Sequence, residues 1–276
     1  MAVLGPGRVP ADQPILRADD LGVLRGDGVF ETMHLRDGVP WLFEDHLARM
    51  ARSAARMALN LPDAAALREL AATACDGWPV DVEGALRLVC TRGGERGGPV
   101  TVFATLNPVP ESQLTARRDG VTVVTASLGY SIDARPQSPW LLGGVKALSY
   151  AVNMASQRWA ADQSVDDVLW TSSEGYALEG PTSTLLWLEG DQLCTVPAEQ
   201  TGILPGITAG WLLANAHQLG YRPHQRLVRP AELTQADGVW LVSSVRGAAH
   251  IRALDGVPLP PSPATAGIHK LLGHPG

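Results

Sequence analysis

Residues 141–148 have the sequence Leu-Leu-Gly-Gly-Val-Lys-Ala-Leu, which places Lys146 in an apolar, glycine-containing stretch. Only two of the 22 basic residues are lysines, and the other, Lys270, lies in a polar tail. An apolar segment is an unusual place for a solvated lysine. Burial favours the neutral amine, which can form a Schiff base with an aldehyde and then act as a base. The alternative is a lysine whose charged end reaches solvent.

The composition around this segment is that of an ordinary globular protein, with 45% hydrophobic and 18% charged residues in a chain of 276. It argues against a wholly disordered chain. The net charge of −6 gives no support to a nucleic-acid partner. Three cysteines are too few for a disulfide framework, and no cysteine–histidine pattern predicts a zinc or other metal site.

The chain shows neither a targeting nor a membrane-spanning pattern. Its first twenty residues lack the charged-then-apolar order of a signal peptide. The uncharged run over residues 202–221 contains Pro205, Asn215 and His217, so it does not predict a membrane span. We therefore expect a cytoplasmic protein that has no contact with a membrane.

Hydrophobic periodicity predicts strands that alternate with amphipathic helices. The predicted strands are residues 85–91, 100–106, 120–127, 167–171, 184–188, 192–196 and 238–244. The predicted helices are residues 44–59, 63–75, 147–161 and 207–219. The first two strands flank a glycine-rich loop and should pair antiparallel, whereas the fourth, fifth and sixth should form a meander. The polar, proline-bearing stretch that follows the first pair predicts a linker between two α+β halves.

Three further features suit an anionic or ring-shaped ligand. Residues 202–208 form a glycine-containing turn into a helix N-terminus, where backbone N–H groups and the Thr208 hydroxyl could bind a phosphate. Arg49 could donate a charge-assisted bond to the same phosphate. Glu179, at the start of a hydrophobic strand, could hold a protonated ring nitrogen. The alternatives are a capped helix, a surface arginine and a turn carboxylate.

Six segments, in their order and spacing, resemble the class IV, or fold type IV, pyridoxal-phosphate enzymes. They are residues 25–32 (RGDGVFET), 44–50 (EDHLARM), 146–153 (KALSYAVN), 174–180 (EGYALEG), 202–208 (GILPGIT) and 241–244 (LVSS). That family includes branched-chain aminotransferases, D-amino-acid aminotransferases and 4-amino-4-deoxychorismate lyases. The resemblance covers most of the chain, and actinobacterial aminodeoxychorismate lyases are the most similar subgroup.

The resemblance implies a cofactor, pyridoxal 5'-phosphate (PLP), and a role for each matching residue. Lys146 corresponds to the lysine that binds the PLP aldehyde and transfers the proton. Glu179 corresponds to the carboxylate that keeps the pyridine nitrogen protonated, so that the ring accepts electrons. The residues that correspond to contacts of the cofactor phosphate are Arg49, Ile207, Thr208 and Ser244. The family usually has an arginine after that threonine, and here the residue is Ala209.

The resemblance also implies a two-domain fold of mixed α+β and α/β character, like that of D-amino-acid aminotransferases. A small N-terminal α+β domain should span residues 1–109, with a linker over residues 110–119. A larger C-terminal pseudo-barrel domain that binds PLP should span residues 120–276. Family members are typically homodimers with the cofactor between the domains, so we expect a homodimer that acts on a small-molecule substrate.

The loop over residues 91–98 favours one branch of the family. Its sequence, TRGGERGG, resembles that of lyases and D-amino-acid aminotransferases, in which an arginine at the position of Arg96 meets a substrate carboxylate. D-amino-acid aminotransferases have a histidine where this chain has Gly98, which favours the lyase. The predicted activity is release of 4-aminobenzoate and pyruvate from aminodeoxychorismate. The alternatives are D-amino-acid or other class IV transamination, both activities in one protein, or a non-catalytic member.

The remaining candidates for contact with substrate are less specific to the family. Arg92 lies in the same loop as Arg96, and both could instead be solvated turn residues. The residues of two matching segments that are expected to line the pocket are Phe30, Glu31, Thr32 and Tyr150. Thr32 or Tyr150 could also assist proton transfer. Ordinary packing or strand hydrogen bonding would equally explain these four residues.

Overall fold

The computed structural model describes residues 1–274; residues 275 and 276, the end of the predicted C-terminal domain, lie outside the described residues. The chain forms two compact units. The first comprises residues 1–110 and 145–150, and the second comprises residues 111–144 and 151–274. Each unit combines helices with one sheet, as the predicted two-domain α+β fold requires.

The first unit contains a six-stranded antiparallel sheet and two long helices. In chain order its elements are β1 (Ala2–Val3), β2 (Gly7–Arg8), α1 (Leu21–Arg25), β3 (Gly28–Arg36), β4 (Val39–Pro40), α2 (Phe43–Arg56), α3 (Ala64–Cys75), β5 (Gly84–Thr91) and β6 (Thr101–Pro108). The strand order is β2-β1-β6-β5-β3-β4. The predicted pairing of the strands on either side of the glycine-rich loop is thus confirmed as β5 with β6.

The apolar residues of this unit are shared between the sheet and the two helices. Met33 and Leu86 of the sheet and Met50 and Leu70 of α2 and α3 belong to one buried cluster. Each such side chain contributes about 1.5–3 kcal/mol when it is fully buried. α3 begins where the Asp63 carboxylate accepts a hydrogen bond from the N–H of Ala66 at 2.8 Å, as expected for a helix N-cap.

Residues 145–150 join the first unit as a short extended segment beside β3. The N–H of Phe30 donates to the carbonyl of Lys146 at 3.2 Å, and the N–H of Leu148 donates to the carbonyl of Gly28 at 2.8 Å. This pairing corrects the predicted helix over 147–161, which begins only at Ala151. The helix starts later because the carbonyl of Lys146 and the N–H of Leu148 bond to β3, and the N–H of Tyr150 bonds to the carbonyl of Leu148.

The second unit contains an eight-stranded mixed sheet. Its elements are α4 (Glu111–Asp119), β7 (Val121–Ser127), α5 (Ala134–Gln137), α6 (Ala151–Asp162), β8 (Asp167–Thr171), β9 (Thr184–Glu189), β10 (Gln192–Thr195), α7 (Ala198–Thr201), α8 (Ile207–Ala214), β11 (Arg222–Gln225), α9 (Pro230–Leu233), β12 (Gly238–Ser243), β13 (Gly247–Leu254), β14 (Val257–Pro258) and α10 (Ala264–Leu271), with two 3-10 helices at Pro139–Leu141 and Ala216–Leu219. The strand order is β11-β10-β9-β12-β13-β7-β8, with β14 beside β13.

Two sequence predictions for this unit are wrong. The expected meander does not form, because β8 pairs parallel with β7, and only β9 and β10 form a hairpin. Parallel neighbours need a crossover, and the chain between β7 and β8 includes α6. The stretch predicted as a linker, residues 110–119, is mostly the helix α4, which buries Ala116 and Arg117. Among residues 1–274, no helix is both long and apolar enough to cross a membrane.

Candidate active site

Lys146 lies beside two aromatic rings of the first unit. Its Nζ donates to the Tyr150 hydroxyl at 3.2 Å and lies 4.2 Å from the centre of the Phe30 ring. The two rings meet edge to face with their centres 5.0 Å apart. The main-chain N–H of Lys146 donates to Ser53 Oγ of α2 at 3.1 Å, which fixes the start of the side chain. The amine is therefore held against apolar surface beside one hydroxyl.

A buried polar cluster lies where α2 faces β3. The Arg49 guanidinium donates to both carboxylate oxygens of Glu31, at 2.7 and 2.8 Å, and His46 Nδ1 lies 2.7 Å from the same carboxylate. Burial alone would raise the pKa of Glu31, but the hydrogen bonds from Arg49 and His46 hold that pKa at about 2. Burial lowers the pKa of His46, so a neutral imidazole that donates through Nδ1 is favoured. The helix thus presents Arg49 in a fixed orientation.

The two arginines predicted to bind substrate have different surroundings. Arg92 donates to both oxygens of Asp27, at 2.7 and 3.1 Å, and to the carbonyls of Met57 and Ala58 at the end of α2. These bonds tie the start of the glycine-rich loop to the body of the unit. Arg96 is exposed near the tip of that loop.

Glu179 lies in the second unit, on an extended segment beside β8. It is 8% exposed. Its Oε2 accepts from the N–H of Leu204 at 3.1 Å, and its Oε1 accepts from Arg135 Nη1, also at 3.1 Å. Both donors favour the ionised carboxylate, which is the form that can hold a protonated ring nitrogen.

The N-terminus of α8 brings together donors suited to a phosphate. Gly206 occupies the N-cap position, and Ile207 and Thr208 form the first turn. The Thr208 hydroxyl donates to Ser244 Oγ at 3.3 Å. Gly206 has no side chain that could cap the first backbone N–H groups of the helix, which lie at the positive end of the helix dipole. The hydroxyls of Thr208 and Ser244 lie at the same end of the helix.

These residues fit PLP in chemical type. Within the first unit, Lys146 offers an amine and Arg49 a guanidinium. Within the second unit, Glu179 offers a nearly buried carboxylate, and α8 offers a helix N-terminus with two hydroxyls beside it. Among the predicted phosphate contacts, Thr208 and Ser244 are brought together within one unit, and the buried Thr208 is only 2% exposed.

Several residues around these groups differ from the sequence prediction or are absent from it. Glu31, which is predicted to line the pocket, lies in the buried cluster with Arg49. His46 has no predicted role, although the spacing His46-x-x-Arg49 puts both side chains on one helix face. Arg135 was missed because no local pattern links it to Glu179. Arg87 was also missed; its guanidinium lies 5.8 Å from the centre of the Phe30 ring, and it pairs across the sheet with Thr32. The pairing of β3 with β5 could have pointed to Arg87.

The fold and these groups together define a PLP-dependent enzyme, and the comparison with known families agrees. The family model for aminotransferase class IV matches residues 28–254, and the chain belongs to that family. Enzymes of this family depend on PLP. The match begins at the first residue of β3 and ends at the last residue of β13, so it includes Lys146, Glu179 and the start of α8.

Three proteins show what this chain is similar to. A bifunctional aminodeoxychorismate lyase / D-amino acid transaminase of Mycobacterium tuberculosis is 42% identical, over 95% of this chain and 91% of its own length. A hypothetical aminotransferase from M. tuberculosis, solved with α-ketoglutarate and PMP bound, has a TM-score of 0.95 at 41% identity and covers 99% of this chain and 96% of its own. The 4-amino-4-deoxychorismate lyase from Pseudomonas aeruginosa has a TM-score of 0.78 at 28% identity, with 95% of each chain covered.

Proposed function

We propose that this enzyme is a 4-amino-4-deoxychorismate lyase that releases 4-aminobenzoate and pyruvate, with D-amino-acid transamination as a second activity. The observation that carries the proposal is the relative with both activities, which is 42% identical over 95% of the chain. Both reactions would use the same residues, since Lys146 would hold the aldehyde that PLP supplies and its amine would then carry the proton. One site can therefore serve both.

The proposed roles follow from what each side chain can do. PLP, when bound, supplies the aldehyde and the electron-accepting ring. The Lys146 amine is the proton carrier, and the Tyr150 hydroxyl, 3.2 Å away, holds it in place beside the Phe30 ring. Glu179 keeps the ring nitrogen protonated. The proposed contacts of the phosphate are Arg49, Ile207, Thr208 and Ser244.

The loop between β5 and β6 supports the lyase as the main activity. Arg96 is exposed and has no histidine two residues further on, because that residue is Gly98. A carboxylate contact of D-amino-acid aminotransferases is thus missing from this loop, so we propose that Arg96 serves the carboxylates of aminodeoxychorismate. Arg92 supports the loop through Asp27. The lyase product is aromatic, so positioning and proton transfer are the main contributions required of the protein.

Two assays on the purified enzyme with PLP test the proposal. One follows 4-aminobenzoate fluorescence from aminodeoxychorismate, and the other follows pyruvate from D-alanine with 2-oxoglutarate. We expect 4-aminobenzoate to form faster than D-alanine is consumed. Pyruvate from D-alanine with no 4-aminobenzoate in the first assay would contradict the lyase.

Arg96→Ala extends this test to the substrate contact. We expect KM for aminodeoxychorismate to rise about tenfold, as for loss of one charge-assisted contact, while PLP affinity is unchanged. Arg52→Ala, at an exposed position on α2, is the control. Equal losses of substrate and cofactor affinity would show that Arg96 supports structure instead. A homodimer in the cytoplasm stays a prediction from the sequence.

A further inference from the structure

The turn between β12 and β13, residues 244–246, carries one of the two hydroxyls proposed to meet the phosphate. Ser243 and Gly247 pair across its base, and Ser244 Oγ accepts from the Thr208 hydroxyl at 3.3 Å. The position of the Ser244 hydroxyl depends on how firmly the backbone of this turn is held. The contacts that hold residues 244–246 therefore affect the proposed binding of the phosphate.

Arg117 of α4 binds the backbone of this turn. Its Nη2 donates to the carbonyl of Val245 at 2.7 Å, and its Nε donates to the carbonyl of Arg246 at 3.0 Å. Arg117 is only 7% exposed. Because a guanidinium is planar and rigid, two of its donors fix two successive peptide groups relative to each other. These are the peptide carbonyls that directly follow Ser244.

The Arg246 side chain ties the same turn to two further elements. Its Nη1 donates to Asp167 Oδ2 of β8 at 2.7 Å, and its Nε donates to Gln113 Oε1 of α4 at 3.0 Å. Asp167 is fully buried, and Arg246 is 5% exposed. The turn is thus held from α4 through its carbonyls and from β8 through a buried ion pair.

Burial of these groups calls for an explanation beyond stability. Removing charged groups from water is costly, and a buried ion pair often stabilises a fold no better than apolar residues of the same size. What such a network does provide is one defined backbone arrangement. Here the defined arrangement is that of the turn that carries Ser244.

We propose that Arg117, acting with Arg246 and Asp167, is a positioning residue that holds the Ser244 hydroxyl beside Thr208 and thereby sets the affinity for the PLP phosphate. This inference rests on the phosphate role proposed above for Thr208 and Ser244. It adds to the site a residue on α4, a helix that contributes none of the proposed cofactor contacts.

The test compares PLP with pyridoxal, which has the same aldehyde and ring but no phosphate. Full-length Arg117→Met is titrated with each compound, and binding is followed by cofactor absorption. We expect PLP affinity to fall about tenfold and pyridoxal affinity to change by less than about twofold, since the lost contacts act on the phosphate. Arg118→Met is the matched control, because that neighbouring arginine bonds to Asp119 at the surface.

The outcomes separate this inference from the phosphate role itself. If wild-type enzyme binds PLP no more tightly than pyridoxal, the phosphate role is wrong. If Ser244→Ala loses PLP affinity and Arg117→Met does not, only the positioning inference is overturned. Parallel losses of PLP and pyridoxal in Arg117→Met would show a general structural role and would also overturn it.

Two further variants complete the test. Since Arg117 acts through Ser244, the double variant Arg117→Met with Ser244→Ala should have about the same PLP affinity as the single variant that binds PLP more weakly. If the losses of PLP affinity add instead, the inference is contradicted. If Arg117→Met does not fold, Gln113→Leu removes only the bond from Arg246. We then expect an approximately threefold loss for PLP and none for pyridoxal; an unchanged PLP affinity would overturn the inference.

Discussion

At the scale of single residues, Glu31 shows how a buried charge can support a site without touching the chemistry. Its carboxylate accepts hydrogen bonds from both Arg49 and His46 within the interior of the first unit. Removing the carboxylate would take away the acceptor of these buried N–H groups. The loss of a buried acceptor costs more free energy than a hydrogen bond contributes on average. Glu31 is therefore the residue that allows Arg49 to be buried and still hold a single orientation.

The depressed pKa of Glu31 predicts a dependence of stability on acid. The pKa is about 2 in the folded chain and near 4.5 in the unfolded chain, so the stabilisation is complete above pH 4.5 and is lost as the pH falls towards 2. The loss attributable to Glu31 should be about 3 kcal/mol. We expect Glu31→Gln to lower the free energy of unfolding at pH 7 and to flatten its decline between pH 4.5 and 2.

Urea unfolding at a series of pH values measures this effect. Glu44→Gln is the control, because Glu44 is on the same helix α2 but is exposed, and it pairs with Arg68. It should leave the acid slope nearly unchanged. If the free energy of unfolding falls equally with pH in wild type and in Glu31→Gln, the Glu31 carboxylate is not responsible for the loss of stability in acid.

At the scale of elements, α8 combines the N-terminus proposed to bind the phosphate with a plain helix body, and each part contains one glycine. A Cβ at Gly206 would overlap Thr184 Oγ1, whereas a Cβ at Gly210 would meet nothing within 4 Å. Gly206 therefore has no side chain because β9 approaches the helix start closely. Gly210 has no such requirement.

Alanine at these two positions should have opposite effects. Gly206→Ala should displace Thr184 or the helix start, and so lower PLP affinity by about fivefold to tenfold and reduce thermal stability. Gly210→Ala should raise stability by about 0.5–1 kcal/mol, because alanine is the better residue in a helix interior, and should leave PLP binding unchanged. Absorption titrations and thermal melts of both variants measure this. Equal PLP affinity in the two variants would contradict the role given to Gly206.

At the scale of the whole molecule, we expect the binding of PLP to raise the free energy of unfolding and the Tm of the chain. A ligand that binds only the folded chain stabilises it by about 2.7 kcal/mol at a hundred times its dissociation constant. For a chain of this size that corresponds to a rise in Tm of roughly 5 °C. We expect this rise in wild type, accompanied by the absorption band of the bound cofactor.

The two lysines provide a matched pair for this measurement. Lys146→Ala should lose the absorption band, the turnover and most of the rise in Tm, because the amine proposed to bind the cofactor is gone. Lys270→Ala should behave as wild type, since Lys270 is exposed near the end of α10. A normal band and full activity in Lys146→Ala would contradict the assignment of the lysine.

Local patterns in the sequence were sufficient to predict many of the elements and the types of residue at the site. The strands that became β5, β8, β9 and β12 follow from apolar runs, and Lys146 was singled out by its apolar neighbours. The order of six short segments was enough to predict the family and its cofactor. Such features depend on residues a few positions apart, where side-chain period and turn chemistry act directly.

The contacts between residues far apart in the chain could not be predicted from local patterns and are known from the folded structure. It paired β8 with β7 and laid residues 145–150 against β3. It also paired Glu31 with Arg49, and it placed Arg117 where its guanidinium bonds to the turn that carries Ser244. These contacts depend on which surfaces meet when the core is buried, and local periodicity contains no information on that choice.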